Sequence, residues 1–237
     1  MVKKDLTLDA FFIKEEVEKR VRGEERIKEL GSCELPKGWR WVRLKQIAKT
    51  KSGGTPRRSV EKYWKNGTIP WVKSGELEDG IILNTEEKIT QIALRENPNI
   101  EVLPKGTLLV AMYGATVGRV GILGIDAAIN QAVCAIFPNE NIVDKMYLFY
   151  YFRYLRPKLI RRSFGGAQPN ISQVVIKNTL IPLPPFKEQK RIVTRIKELM
   201  SRIEEARRLR KLAREEAGKI MQAALQKIFN KAEKRVW

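Results

Sequence analysis

Ile181–Val193 reads IPLPPFKEQKRIV, and the texture of the chain changes across it. Upstream, short apolar runs such as TIPWV, GIIL, TLLVAM, VGRVGIL and AVCAIF alternate with Gly, Pro and Asn breakers, which predicts the strands of an irregular sheet. Downstream, from Lys187 to Phe229, there is no proline and only one glycine, Gly218, which predicts one long helix. Between them, Pro182, Pro184 and Pro185 force an extended approach. Prolines near a first helical turn lack only donors that would be orphaned there anyway. Phe186 is then free to pack back on the domain, and Glu188 sits where the helix dipole favours negative charge. The stretch predicts a rigid joint between an α+β domain, residues 36–182, and a helical segment, residues 183–237.

Working outward along the helix, Ile192, Ile196, Leu199, Ile203 and Ala206 step by four and three, the spacing of a two-stranded seam. Beyond them the seam loosens, with Arg210 at an expected core position, then Ala213, Ala217, Ile220, Ala224 and Ile228. Such a helix is roughly 65 Å long at ~1.5 Å per residue. A rod of that length needs another helix to cover it.

Working outward into the domain, DKMYLFYYFRYLRPKLIRR, Asp144 to Arg162, predicts a helix capped by Asp144, which Pro157 should bend or end. The elements as a set predict an α+β domain with a twisted, irregular sheet and flanking helices. Before it, GSCELPKGWRWV reads as a linker, and Asp9 to Leu30 as a charged helix within an N-terminal segment of residues 1–35.

The charge balance narrows the partners. The chain carries 46 Lys and Arg against 27 Asp and Glu, a formal +19. By segment the net charge is −1 for residues 1–35, +11 for 36–186 and +9 for 187–237. A surface of this sign attracts a polyanion, and the apolar side of the tail, read as Ile, Leu and Ala, favours nucleic acid over a membrane surface. There is no histidine, and the two cysteines, Cys33 and Cys134, form no CxxC. Zinc fingers and histidine-dependent catalysis are excluded, no metal site is expected, and the thiols suit a reducing cytoplasm. No apolar run reaches the ~18 residues of a membrane span.

Leu183-Pro184-Pro185-Phe186 is one letter from the Asn/Asp-Pro-Pro-aromatic clamp with which amino-methyltransferases grip a flipped base. Leu183 cannot accept the amine hydrogen, and no upstream strand ends in a cofactor-binding glycine turn. The chain is therefore read as non-catalytic.

Three glycine-rich turns are the candidate contacts: KSGGTPRR, with Lys51, Ser52, Thr55, Arg57 and Arg58; AMYGATVGRVGILG, with Tyr113, Thr116 and Arg119; and SFGGAQPNIS, with Gln168 and Asn170. Each could turn backbone N–H groups and hydroxyls toward phosphate, although such turns commonly serve only to reverse the chain. The run Arg153, Arg156, Lys158, Arg161 and Arg162, interleaved with Tyr150, Tyr151, Phe152 and Tyr154, reads as a nucleic-acid surface or a solvated helix face. Glu76, Glu78 and Asp79 on a Gly-bounded turn read as a solvated loop, although Glu76 could accept from a cytosine amine if it faced a groove.

Taken in order, WVRLKQIAKTKSGGTP, IPWVKSGEL, LPKGTLLVAMYGATVGRVGIL, AAINQAVCAI, FGGAQPNIS and IPLPPFKEQKRIV resemble the DNA specificity subunit of type I restriction-modification systems, from Pro36 to about Ile203. The resemblance implies a target-recognition domain followed by a long helix that spaces domains and docks methyltransferase subunits. It places S-adenosylmethionine on the adenine methyltransferase and ATP on a restriction subunit, and no cofactor on this chain. Family members have two recognition domains, so the resemblance is to a half subunit, either naturally short or cut from a longer chain. A homodimer through Ile192 to Ala206 would read a bipartite site on double-stranded DNA. The same helix face could instead meet the methyltransferase. A stand-alone nucleic-acid-binding dimer, or the recognition part of a fused restriction-modification enzyme, is the alternative.

The resemblance also sorts the loops. SGGTP, GATVGRVGI and NQA are shared by members that read different DNA, so they should build scaffold or touch phosphate. Base contacts are then expected from Arg57, Arg58, Lys73, Ser74, Tyr113 and Gln168, and phosphate contacts from Lys51, Thr116, Arg119, Arg161 and Arg162.

Overall fold

The structure, a computed structural model, describes residues 34–163 and 170–233. The helix expected over Asp9 to Leu30, and Cys33, lie outside the described residues. The chain divides into two compact units between Lys190 and Arg191.

The first unit is built on a five-stranded sheet. Its strands are β2 (Ala48–Ser52), β4 (Ile81–Ile82), β6 (Leu108–Ala111), β7 (Val120–Leu123) and β9 (Val133–Pro138), in the order β2-β9-β6-β7-β4. All pairs are antiparallel except β4 with β7. Leu108, Leu109, Val110 and Ala111 of β6 are all buried, as are Val133 to Ile136 of β9. Strands covered on both faces need no polar alternation, which is why TLLVAM and AVCAIF read as unbroken apolar runs. Leu77, Leu109, Leu123, Ile129 and Val133 lie in this core.

A smaller sheet, β5-β3-β8, joins β3 (Ile69–Val72), β5 (Glu87–Ile89) and β8 (Ala128–Ile129). Its core gathers Tyr63, Trp71, Ile89, Ala93 and Ile100 under α2 (Gln91–Glu96), whose N-cap Thr90 accepts from Ala93 N–H at 3.2 Å. The third sheet pairs β1 (Arg40–Arg43) with β10 (Leu180–Leu183), the two ends of the domain, with α1 (Leu44–Ile47) following β1.

Helix α3 (Lys145–Ser163) buries Tyr147, Leu148, Phe149, Phe152, Leu155 and Leu159. Asp144 caps it as expected, accepting from Tyr147 N–H at 3.0 Å. Pro157 does not end the helix. Buried Leu155 and Leu159 flank it, and that anchorage offsets the one backbone bond a proline removes. The Tyr147 hydroxyl donates to the Pro182 carbonyl and the Tyr151 hydroxyl to that of Leu180, at 2.7 Å for the latter, so these tyrosines bind the helix to β10 rather than forming an outward aromatic surface. A short helix, α4 (Gln173–Asn178), capped by Ser172, precedes β10. The final helix, α5 (Phe186–Glu233), runs 48 residues without a break. The texture read from Lys187 onward is therefore one helix.

Candidate nucleic-acid interface

Strand register brings the candidate loops to one rim. Ser52, the last residue of β2, lies opposite Cys134, and Ala111, the last of β6, opposite Val133, both at the start of β9. Val72, the last of β3, lies beside Ile129, the last of β8, and only Asn130–Ala132 separate β8 from β9. Backbone bonds tie the rim together: Gly54 N–H to Ile129 carbonyl at 3.0 Å, Asn130 to Val72 at 2.9 Å, Met112 to Ala132 at 2.8 Å, and Ile171 to Met112 at 2.9 Å. Tyr113 and Asn170 form an isolated bridge. Ser52, Thr55, Lys73, Ser74, Tyr113, Thr116 and Asn170 are thus gathered although they span more than half the chain.

Other predicted residues stand differently. Lys51, one residue inside β2, is ion-paired with Glu101. Arg57 is exposed, and its carbonyl accepts from Trp64 Nε1 at 3.1 Å. The Thr116 hydroxyl donates to the Tyr113 carbonyl at 2.9 Å, and half-buried Arg119 closes the turn through its N–H to the Thr116 carbonyl at 2.9 Å. Arg161 is exposed. Gln168 and the side chain of Arg162 lie outside the described residues. One residue of the rim was not singled out by sequence: exposed Gln131, whose Oε1 accepts from the Thr55 hydroxyl. It sat in the quoted string NQA, where a scaffold reading hid it.

The electrostatics centre on a carboxylate. Glu87 on β5 pairs with Arg58 and, at 3.0 Å, with Lys73, whose ammonium also reaches Glu86 at 2.7 Å. Arg58 foremost, then Lys73, holds the Glu87 carboxyl below its usual range. Hydrogen bonds donated to Glu86 and then to Glu87 push Lys73 up. The Arg58 guanidinium also lies over two indoles, 4.0 Å from the Trp64 centroid and 5.1 Å from that of Trp71.

Three expectations are corrected. Glu76 is not free to read a base: its carboxylate accepts from the backbone N–H of Lys73 at 2.6 Å and of Glu86 at 2.8 Å, closing the turn. Arg153 and Arg156 are not a solvated pair, because both face Asp79, Arg153 at 3.9 Å, and Arg156 also donates to the Gly118 carbonyl at 3.1 Å. Phe152 is buried outright. That leaves exposed Tyr154, with Lys158 5.9 Å over its ring, and exposed Arg161 as the outward part of the run among the described side chains.

The glycines show why the turns look as they do. A Cβ on Gly53 would collide with the carbonyl of Ile129, so the SGG step is dictated by close approach of two backbones. Gly118 has φ +76°, and a Cβ there would meet Arg156 at 3.0 Å.

The joint read from IPLPPFKEQ is held by a side chain as well as by prolines. Gln189, fully buried, donates from Nε2 to the carbonyls of Ile142 and Pro184, both at 3.0 Å, and its Oε1 accepts from Asp144 N–H at 2.8 Å. It staples the first turn of α5 to the loop that caps α3. Leu183 is buried in β10, which removes the base-clamp reading on structural grounds too.

Within the second unit, the seam residues lie along one face of α5. Ile192 and Ile196 are half-buried, Ala206 is exposed, and Leu199 and Ile203 are 43% and 45% exposed. Further along, Ile220, Met221, Ile228 and Phe229 are more exposed still. Arg210 interrupts the face as the spacing implied. Among the described residues, no helix is long and apolar enough to cross a membrane, and no group of three or more His, Cys, Asp or Glu could hold a metal ion.

A mixed α/β domain with loops gathered at one rim, followed by a long helix, is the architecture of a recognition module. Residues 36–214 match the family described as the type I restriction modification DNA specificity domain, and the chain belongs to that family. It is 31% identical over 180 residues to the type I restriction enzyme MjaIX specificity subunit of Methanocaldococcus jannaschii, covering 74% of this chain and 41% of the relative. Over 158 residues it is 27% identical to the EcoR124I/EcoR124II specificity subunit of Escherichia coli, covering 65% and 39%. The chain thus spans about two fifths of the length of the relatives it matches. Among solved structures, the HsdS subunit from Thermoanaerobacter tengcongensis shares the fold with a TM-score of 0.57 at 22% identity, over 84% of this chain and half of that one.

Proposed function

We propose that this chain reads DNA sequence for a partner adenine methyltransferase, as the non-catalytic specificity subunit of a type I restriction-modification system. The carrying observation is the convergence of the loops after β2, β3, β6 and β8 on one rim of a domain whose sequence carries a strong positive excess. Charge of this sign supplies sequence-independent attraction to phosphate, and polar side chains on the same rim supply discrimination among base edges. In this reading Lys51, Ser52, Thr55, Thr116, Arg119, Arg161, Arg162 and Asn170 contact phosphate, and Arg57, Arg58, Lys73, Ser74, Tyr113 and Gln168 face the groove.

A homodimer through the face from Ile192 to Ala206 brings two recognition domains together. The two domains then read a bipartite double-stranded site in the cytoplasm. S-adenosylmethionine belongs to the methyltransferase and ATP to a restriction subunit. Co-expression with the methyltransferase, mapping of methylated adenines and weighing of the complex tests all of this. A discrete two-part motif and a mass with two copies of this chain are expected. DNA binding without any methylated motif would instead leave a stand-alone nucleic-acid-binding protein.

A further inference from the structure

Resting on that reading and going one residue deeper, we propose that Arg58 reads a guanine through its major-groove edge, with Trp64 and Glu87 as the residues that hold it in reading position. A guanidinium carries five N–H donors in one plane. Here one face is occupied by Trp64, at 4.0 Å to the ring centroid, and Nη1 donates to Glu87 Oε2. The remaining donors lie in the plane of the group, and the side chain is 54% exposed.

The platform under it is rigid. Trp64 and Trp71 meet edge to face at 5.2 Å between centroids, Trp71 is buried with its Nε1 bonded to the Gly54 carbonyl at 3.0 Å, and Trp64 Nε1 is bonded to Arg57. Glu87 is fixed in turn by Lys73. The rotamer cost of placing a long side chain is therefore met before DNA arrives. A cleft of about 470 Å³ opens beside the group, lined by Arg58, Ser59, Glu61, Trp64, Glu87 and Lys88, and leaves room for an incoming edge.

Guanine is the base this fork fits. Its N7 and O6 present two adjacent acceptors to two parallel donors, whereas adenine replaces one with an amine donor and cytosine offers only a donor. The same clamp explains why Arg57 and Arg58 are not equivalent, since Arg57 has no ring or carboxylate partner among the described residues.

The test maps methylated adenines for the wild-type complex and for R58A, R58K, E87Q, W64F and R57A complexes. The wild-type motif is expected to contain a guanine whose preference falls at least ~tenfold in R58A and R58K, the order of one bidentate contact. R58K keeps the charge, so its salt dependence of binding should match wild type while the guanine preference is lost. W64F should weaken that one preference by a smaller factor and leave the other motif positions alone, a pattern that mere loss of stability would not produce, and E87Q should weaken it together with any position read by Lys73, which Glu87 also holds. R57A should leave the guanine intact. A discrete wild-type motif that R58K reproduces unchanged overturns the proposal and spares the specificity-subunit reading; a wild-type complex that methylates no discrete motif overturns both.

Discussion

Gly53 tolerates no side chain, because the Ile129 carbonyl already occupies the place of its Cβ. Gly53→Ala should therefore cost about 2 kcal/mol or more, read as a lower denaturant midpoint. Cys134 is a second residue whose setting fixes a measurable response. Burial pushes its thiol up to about 12, above the usual thiol value. The unfolded thiol ionises from about pH 8.5 while the folded one stays neutral, so its contribution is intact below that pH and is lost as pH rises toward the folded value. Wild type should lose about 1.4 kcal/mol more than Cys134→Ala between pH 7.5 and 9.5 in paired urea titrations. Much at this scale was hidden in the sequence. SGGTP was legible as a turn, but the reason for its glycine is a carbonyl far away on β8. The Arg58–Glu87 pair joins residues 29 apart, and local spacing carries no trace of such a partnership.

Elements were more legible than their partnerships. The apolar runs named from the sequence became β3, β4, β6, β7 and β9, because buried strands advertise themselves by composition. The β1-β10 pair, β2, β5 and β8 were missed: RWVR, AKTKS, EKI and AI are too short or too polar to show a period, and pairing partners set them. The joint at the head of α5 was read from its prolines, yet Gln189 does the stapling, and a glutamine in a charged helical string gives no sign of burial. Gln189→Leu leaves Asp144 N–H and two carbonyls without this partner. A loss of about 1–3 kcal/mol is expected by equilibrium unfolding, with Pro185→Ala, at an exposed position, losing less.

For the whole molecule, charge and the long helix were plain in the sequence, whereas which surfaces gather at one rim required the register of two sheets. The apolar face of α5 makes its own prediction. In the proposed homodimer, wild type is expected to sediment as a dimer and a Leu199→Asp, Ile203→Asp double variant as a monomer with an unchanged helical signal, while Arg210→Leu should tighten the pair. The central claim is that this chain confers sequence on DNA binding. Selection from a pool of random duplexes by the purified chain with its methyltransferase tests it most directly. The account predicts enrichment of a two-part motif with a fixed gap between its halves; recovery of a pool with no enriched motif, at any salt concentration that permits binding, would contradict it.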